Sequence, residues 1–458
     1  MMDEDIIRHF SSLTSTDEYA DIRIGRYSAL NILMEDGKTK EVSESKGDGF
    51  GIRIYKQGRY GLASSTRLTK RAVEEAVEKA RKLLRNQVPS RNKTKIEPEY
   101  NNMRLKPRWK ESTEEVGIEE KFRVLRSCAD AAKLKGISSV SVDYSDGITE
   151  WTIGSNAGNI VSFSESHPRL LVSSFVRKDG ITQAVRKSIG GNIGFEIFHN
   201  NDLEKLGRTA STEALNLLDA KPVKGGRYDV VLDYSMTGVY THEAFGHATE
   251  ADGIVAGTSI LEGKIGQRVG AEIVNIIDDP TIPGARGSFA FDQEGTKAKR
   301  RILVGNGVLL SYLESLETAG ILDRNEKNGA ARGMTPFNNP IPRMSNTFIA
   351  PGDFDEEIFE DIKLGVSFYG FQYGYTDPGS GKFMFKAQYG RMIRNGKLAE
   401  YVRDAALSGY TLDVLKRIDA VGRDMRLDDG TCGKSGQWVP VTSGGPDIRI
   451  RGVVVGGQ

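Results

Sequence analysis

The sequence predicts an α+β protein with two domains: an N-terminal β-meander-plus-helix domain at residues 1–222 and a mainly antiparallel β domain at residues 223–458. Three observations lead to this fold class. The chain has 458 residues, more than one compact core usually organises. A run of short alternating strands followed by a long amphipathic helix occurs twice before residue 220. Residues 221–226, Lys-Pro-Val-Lys-Gly-Gly, then have the composition of a domain boundary.

The first run of strands follows a short predicted helix at residues 3–12. Alternating apolar residues predict strands at residues 20–24, 28–34, 40–43, 50–55 and 60–64. Lys56-Gln57-Gly58-Arg59 between the last two strands indicates a hairpin turn. An apolar stripe with helical spacing predicts a helix from Thr69 to Leu84.

The second run begins after residues 87–113, a Pro-, Asn-, Lys- and Arg-rich stretch that indicates a linker or long surface loop. An amphipathic helix is predicted at residues 116–134, with Cys128 as an inert core thiol. Strands are predicted at residues 140–144, 149–153, 159–165, 170–177 and 181–188. A third long helix, at residues 201–218, closes the domain.

The C-terminal half begins with a predicted strand at residues 228–233 that leads into a histidine-containing helix. Further short strands are predicted at residues 274–278, 288–291, 302–304, 308–313, 383–390, 391–393, 397–402 and 447–455. Four prolines predict irregular, extended chain over residues 335–353. Residues 370–381 have the composition of a glycine and tyrosine loop, and short helices are predicted at residues 356–364 and 410–418.

Composition limits the class of protein. Apolar residues make up 38% of the chain and charged residues 27%, which is typical of a soluble globular protein. The formal net charge of +1 favours neither nucleic acid nor an anionic membrane as a partner. Two cysteines, no apolar run of membrane-spanning length and an acidic first segment lead us to expect a cytoplasmic protein.

The predicted catalytic motif is His242-Glu243-x-x-x-His247. Neutral imidazoles are common zinc ligands, and a carboxylate beside them is a common general base. On a regular α-helix a five-residue step leaves two side chains roughly 140° apart, too far round to share an ion. We therefore predict a π-turn or an early helix end near Gly246, a residue that can relax the backbone there.

A third ligand is needed, and the residues alone leave several candidates. These are Glu250, Asp252, His199, Asp278, Asp279 and Cys432. Glu250 lies about one helical turn after His247. Cys432 lies between glycines in a segment with the composition of a polar loop, and a thiolate is a strong zinc ligand.

Five segments of the C-terminal half resemble motifs of the TldD/PmbA family, also called the modulator of DNA gyrase family, in the same order. They are His242–Asp252 (HEAFGHATEAD), Gly284–Gly295 (GARGSFAFDQEG), Pro342–Thr347 (PRMSNT), Ser380–Phe385 (SGKFMF) and Gly430–Lys434 (GTCGK). In the N-terminal half the resemblance depends on the strand-then-helix layout and on residues 49–60. Residues 371–379, FQYGYTDPG, depart from the family pattern because they lack paired glycines before the aspartate.

The resemblance implies a zinc metallopeptidase of the TldD type. It implies His242, His247 and Cys432 as metal ligands and Glu243 as the catalytic base. It also implies a TldE/PmbA-like partner subunit, or self-association, and an extended or unfolded peptide as substrate.

The expected reaction is hydrolysis of a peptide bond, in which Glu243 takes a proton from water and passes it to the leaving amine. Arg286, Arg343 and Tyr240 are candidates for stabilising the oxyanion. One alternative is a small-molecule amide or ester hydrolase that uses the same site. Another is a non-catalytic binding or scaffold subunit, whose structural metal would take a fourth protein ligand such as Glu250.

Overall fold

The structure is a computed structural model, and it describes residues 2–87, 96–324 and 326–456. Ten α-helices occur within these ranges: α1 (Met2–Ser12), α2 (Lys70–Arg85), α3 (Ile118–Ala132), α4 (Glu196–His199), α5 (Leu203–Leu215), α6 (Tyr234–Val239), α7 (His247–Thr249), α8 (Ala251–Val255), α9 (Leu316–Ile321) and α10 (Thr411–Leu415). A π-helix spans Tyr240–Gly246, and a 3₁₀ helix spans Glu356–Phe359. No helix in the described part of the chain is long and apolar enough to cross a membrane.

The strands before residue 200 form one sheet. They are β1 (Tyr19–Glu35), β2 (Lys38–Lys56), β3 (Arg59–Ser65), β4 (Asn102–Arg104), β5 (Ser139–Ser155), β6 (Ile160–Ser166), β7 (Arg169–Lys178) and β8 (Ile181–Gly190). The order is β3-β2-β1-β5-β6-β4, with β7 on β5 and β8 on β7. All pairs are antiparallel except β4 with β6. Helices α1 and α2 cover one part of this sheet and α3 and α5 cover another, each over its own apolar core.

The later strands form two larger sheets and one small pair. They are β9 (Lys221–Pro222), β10 (Gly226–Leu232), β11 (Ile276–Asp278), β12 (Arg301–Gly305), β13 (Val308–Leu309), β14 (Ala331–Arg332), β15 (Ile341–Pro342), β16 (Asn346–Ile349), β17 (Leu364–Asp377), β18 (Lys382–Arg394), β19 (Lys397–Arg403), β20 (Ala406–Tyr410), β21 (Ile418–Val421), β22 (Arg426–Lys434), β23 (Gln437–Gly445) and β24 (Ile448–Gly456).

One of these sheets has the order β17-β10-β24-β20-β18-β19-β9, and β17 also pairs with β18. Five of its strands therefore close on themselves. The other has the order β13-β12-β11-β16-β23-β22, which leaves β22 at its edge. Most pairs are antiparallel, with β10–β17, β19–β9 and β16–β23 parallel. The histidine-containing helical segment packs against both sheets.

The predicted α+β class and the β-rich C-terminal region are confirmed. Helices α2, α3 and α5 lie where the apolar spacing predicts them, and Thr69 caps α2 by accepting a hydrogen bond from Ala72 N. The division into domains at residue 222 stays a prediction. Part of the predicted linker at residues 87–113 lies outside the described residues, and its residues 102–104 form β4.

Glycines caused one error of prediction in the first sheet. The runs expected as short strands at residues 20–34 and 40–55 are two long strands, β1 and β2. Their glycines make room rather than ending the strands: a Cβ on Gly25 would lie 3.0 Å from the ring of Pro336, and one on Gly51 would lie 2.0 Å from its carbonyl oxygen. The second half of the chain thus packs closely on this sheet.

Several predictions in the C-terminal half are wrong. Residues 370–377 are the end of β17 and residues 378–381 the turn to β18, rather than a loop. Residues 335–353 contain the internal strand β16. Residues 288–291 form no named strand. The helix expected at residues 356–364 is a single 3₁₀ segment, after which β17 begins. Local composition does not identify these strands, because a strand is stabilised by packing against its neighbours in the sheet.

Candidate metal centre

Asp233 fixes the start of the helical segment that carries both histidines. It follows β10 directly, and its side chain accepts hydrogen bonds from Met236 N at 2.9 Å and Gly370 N at 3.1 Å. The first bond caps α6, and the second ties the cap to β17. Burial raises the pKa of Asp233 to about 7.

As the five-residue spacing predicts, the segment departs from a regular α-helix. After α6 the chain enters the π-helix, and the backbone N–H of His247 donates to the carbonyl of His242, five residues earlier. This turn brings the two imidazoles to the same side, with ring centroids 5.3 Å apart and ring planes at 88°.

Gly246 has a role different from the predicted one. Its φ and ψ of −58° and −49° are ordinary helical values, so no backbone freedom is needed. A Cβ there would lie 2.1 Å from the sulfur of Met344, whose side chain is fully buried. Glycine is required because the helix and Met344 pack closely.

We expect Gly246→Ala to lower the free energy of unfolding by about 1–3 kcal/mol, because an extra carbon is forced into a packed core. Gly253→Ala is the matched control: Gly253 lies in α8, and its nearest contact to an added Cβ is 3.7 Å away. Denaturant unfolding of both variants measures the difference. Equal stabilities would show that Met344 moves aside freely.

Cys432 lies inside β22, not in the polar loop that its neighbours predict. It pairs with Val439 of β23 and is only 3% exposed. Its sulfur is 3.4 Å from Nε2 of His247. A strand holds the thiol more firmly than a loop between glycines would.

The structure brings three of the predicted site residues together. One donor atom from each of His242, His247 and Cys432 lies within 4.8 Å of the others. Among the described residues, no other group of three histidine, cysteine or carboxylate donors lies close enough together to hold one ion. The other predicted candidates are outside it: His199 is 3.4 Å from Glu111, and Asp278 pairs with the buried Arg301.

Glu250 lies behind His247 rather than beside the third donor. Its Oε2 is 2.8 Å from Nδ1 of His247. Burial alone would raise the pKa of Glu250, but His247, Lys434 and Arg343 lower it to about 2. A carboxylate can only accept, so Nδ1 of His247 donates to Glu250, and Nε2, which faces Cys432, is the ring nitrogen left for a metal.

The thiol of Cys432 is set up to be a thiolate. Burial favours the neutral thiol, but the charges and hydrogen bonds of His242 and His247 outweigh burial and lower its pKa to about 5. Cys128, on the buried face of α3, shows the contrast, because burial there raises the thiol pKa to about 12.

Two imidazoles and a thiolate fit zinc, which takes nitrogen and sulfur ligands at a catalytic site with three protein ligands. The buried Nδ1 of His242 has no hydrogen-bond partner among the described residues. The outer partner of His247 is the carboxylate expected for a metal-bound histidine. The arrangement therefore passes the chemical test for a zinc centre.

Glu243 extends from the π-helix into a cavity of about 450 Å³ that His242 also lines. We call it the site cavity. The side chain of Glu243 is 36% exposed, and its Oε2 is 3.7 Å from Nε2 of His247. Glu243 is thus next to the three donors yet open to a ligand.

The other wall of the site cavity comes from β7 and β8, with Arg169, Arg186 and Lys187. Asp429 on β22 joins the walls: it pairs with Arg169 and accepts a hydrogen bond from Ser188 Oγ at 2.8 Å. Sequence reasoning missed these residues, because only tertiary packing brings β8 to β22.

The proposed oxyanion donors are already engaged. Tyr240 is buried and donates to the carbonyl of Thr411 at 2.8 Å. Arg343 is fully buried and donates to the carbonyl of Cys432 at 2.7 Å. Arg286 donates to the carbonyl of His167 at 3.1 Å.

Family models match most of the chain. Models of PmbA/TldA metallopeptidase domains match at residues 20–84 for domain 1, 111–218 for the central domain and 225–457 for the C-terminal domain. A metalloprotease of Methanothermobacter thermautotrophicus is 41% identical over 450 residues, covering 96% of both chains. A zinc metalloprotease TldD homolog of Saccharolobus solfataricus is 28% identical over 447 residues, covering 96% of both chains.

Solved structures share the fold. A putative modulator of DNA gyrase from Thermotoga maritima superimposes with a TM-score of 0.83 at 22% identity, over 100% of both chains. TldE from Thermococcus kodakarensis gives a TM-score of 0.80 at 18% identity, with the same coverage.

Proposed function

Because this chain belongs to the PmbA/TldA metallopeptidase family, predicted from its motifs as TldD/PmbA, we propose that it is a zinc-dependent peptidase that cleaves extended or unfolded peptides. We assign His242, His247 and Cys432 as the metal ligands and Glu243 as the general base. The observation that supports this assignment best is the grouping of three donors within 4.8 Å beside a glutamate that lines a cavity.

The chemistry follows from the positions of the side chains. Zinc, when bound, would make a water molecule acidic and polarise the peptide carbonyl. Glu243 takes a proton from the attacking water, whose oxygen bonds to the carbonyl carbon. The carbon–nitrogen bond then breaks, and Glu243 passes the proton to the leaving amine. Glu250 holds the ring of His247 in place and is not the base, because His247 and Lys434 occupy its Oε2.

An extended peptide suits the shape of the site. The site cavity adjoins a second cavity of about 680 Å³ that shares Lys187, Ser188, Asp233 and Tyr234 with it. Residues Asp428–Thr431 of the edge strand β22 line the site cavity. An edge strand offers backbone hydrogen bonds to any extended sequence, so binding would tolerate many side chains.

A partner subunit is part of the proposal. TldE from T. kodakarensis has the same fold, and the motif and cysteine of this chain are those of the TldD type. We infer that this chain acts with a TldE/PmbA-like chain, or with a second copy of itself. Mass photometry of the chain alone, and mixed with a TldE-type protein, would distinguish the two.

The alternatives differ in testable ways. A structural metal needs a fourth protein ligand, yet Glu250, the candidate for it, is bound to Lys434 at 2.9 Å and faces the far side of His247. A small-molecule amide or ester hydrolase would use the same residues but would not need two adjoining cavities.

Removal of the metal tests the central claim. We expect chelation to abolish cleavage of an unstructured peptide, and one equivalent of zinc to restore it, because the attacking water depends on the ion. Small acyl amides and esters assayed in parallel separate the classes of substrate. Undiminished cleavage by metal-free protein would contradict the proposal, and turnover of small acyl substrates alone would favour the hydrolase alternative.

A further inference from the structure

Two side-chain contacts connect the edge strand β22 to the helical segment. The first is the 3.4 Å contact of Cys432 Sγ with Nε2 of His247. The second is the ion pair of Lys434 Nζ with Oε2 of Glu250, at 2.9 Å. Lys434 is two residues after Cys432, so both side chains project from the same face of the strand. Glu250 is three residues after His247, about one turn on. The two contacts are therefore adjacent.

Lys434 makes several further contacts, all of which it would lose if its side chain moved away from Glu250. Its ammonium also binds Asp252 Oδ1 at 2.7 Å and the carbonyl of Pro342 at 3.3 Å. The side chain is 20% exposed and that of Glu250 is 2% exposed, so the pair is largely screened from water.

Arg343 also contacts both the β22–β23 hairpin and Glu250. It is fully buried and donates to the carbonyls of Cys432, at 2.7 Å, and Gln437, at 3.2 Å, one on each strand of the β22–β23 hairpin. Its Nε lies 3.8 Å from Oε1 of Glu250. Lys434 thus donates to one oxygen of the carboxylate that orients His247, and the guanidinium of Arg343 faces the other at ion-pair distance.

We propose that Lys434 is a positioning residue of the metal centre, which with Arg343 fixes the strand that carries Cys432 against the helix that carries His247. This inference rests on the proposed function, since it concerns the same ligands. The two parts of the ligand set are 185 residues apart in the chain. The Lys434–Glu250 ion pair fixes the position of β22 along the helical segment before any metal binds.

The test is cobalt(II) binding by the full chain, followed through the thiolate-to-cobalt absorption band and by competition with a chelator. We expect Lys434→Met to weaken cobalt affinity about 10–100-fold, as losses of outer partners of metal ligands do, and to reduce the band at saturating cobalt. Lys434→Arg should restore both in part. Lys434→Gln is the second variant if the methionine variant does not fold.

Lys386→Met is the matched control. Lys386 pairs with Asp404 at 2.7 Å, with side chains 19% and 15% exposed, on β18 away from the three donors. It should lose similar stability and keep the parent's cobalt affinity and band. Lys434 variants that bind cobalt within twofold of the parent, with an unchanged band, would overturn the positioning role while leaving the proposed function intact. A parent protein without a thiolate band would overturn both.

Discussion

Glu243→Gln should abolish peptide cleavage while leaving zinc bound. The substitution keeps the size and shape of the side chain but removes the group that accepts a proton from water. Loss of a general base typically costs 10²–10⁴-fold in rate, so we expect kcat to fall by at least about two orders of magnitude. Metal content should stay at one ion per chain, because Glu243 is not one of the three grouped donors.

The comparison needs both rate and metal content. Glu262→Gln, an exposed glutamate outside the site cavity, controls for the general loss of a charge. Quenched-fluorescence cleavage of an unstructured peptide gives kcat, and elemental analysis gives zinc per chain. An undiminished kcat in Glu243→Gln would refute the assignment of the base, and loss of zinc together with activity would move Glu243 into the ligand set.

The local part of this site could be predicted from sequence because its spacing is chemically restrictive. Two histidines five residues apart cannot share an ion on a regular α-helix, so the spacing itself requires the π-helix that the structure contains. Glu250, at a helical turn from His247, was likewise within reach of local reasoning as a residue that orients the imidazole.

The distant part of the site could not be obtained in the same way. Nothing in the residues around Cys432 distinguishes a polar loop from an edge strand, since glycine on both sides indicates flexibility. Only pairing of β22 with β23 buries the thiol, and the ring of Trp438 packs where a Cβ on Gly433 would lie, at 2.5 Å. Without the family resemblance, the residues left Cys432 and Glu250 as open alternatives.

The fold shows the same limit. Amphipathic helices such as α2 bury one face whatever they pack against, so their spacing alone locates them. The β17–β18 hairpin was missed because its glycines and tyrosines resemble a loop. Gly374 is there so that the backbone can lie against Phe385, 2.3 Å from where its Cβ would be. Such close approaches are set by the partner strand, not by the local sequence.

Cys432→Ser should lose most of the bound zinc, and this is the second of the two largest effects. Neighbouring imidazoles lower the pKa of the thiol to about 5, so a thiolate is available at neutral pH. A serine hydroxyl in the same place stays neutral and is a much poorer ligand for zinc. Loss of a residue that only hydrogen-bonds a metal ligand typically costs about 10–100-fold in metal affinity. We expect Cys432→Ser to lower zinc affinity by more than this, and peptidase activity to fall with it.

Cys128→Ser separates loss of a ligand from loss of a buried thiol. Cys128 is fully buried on the inner face of α3, in a different core, and burial raises the pKa of its thiol to about 12. Its variant should lose stability but keep zinc and activity, whereas Cys432→Ser should lose zinc even where it remains folded. Zinc titration of both variants, with circular dichroism to follow folding, makes the comparison. If Cys432→Ser retains full zinc and full activity, the thiol is not a ligand and the assignment of Cys432 fails.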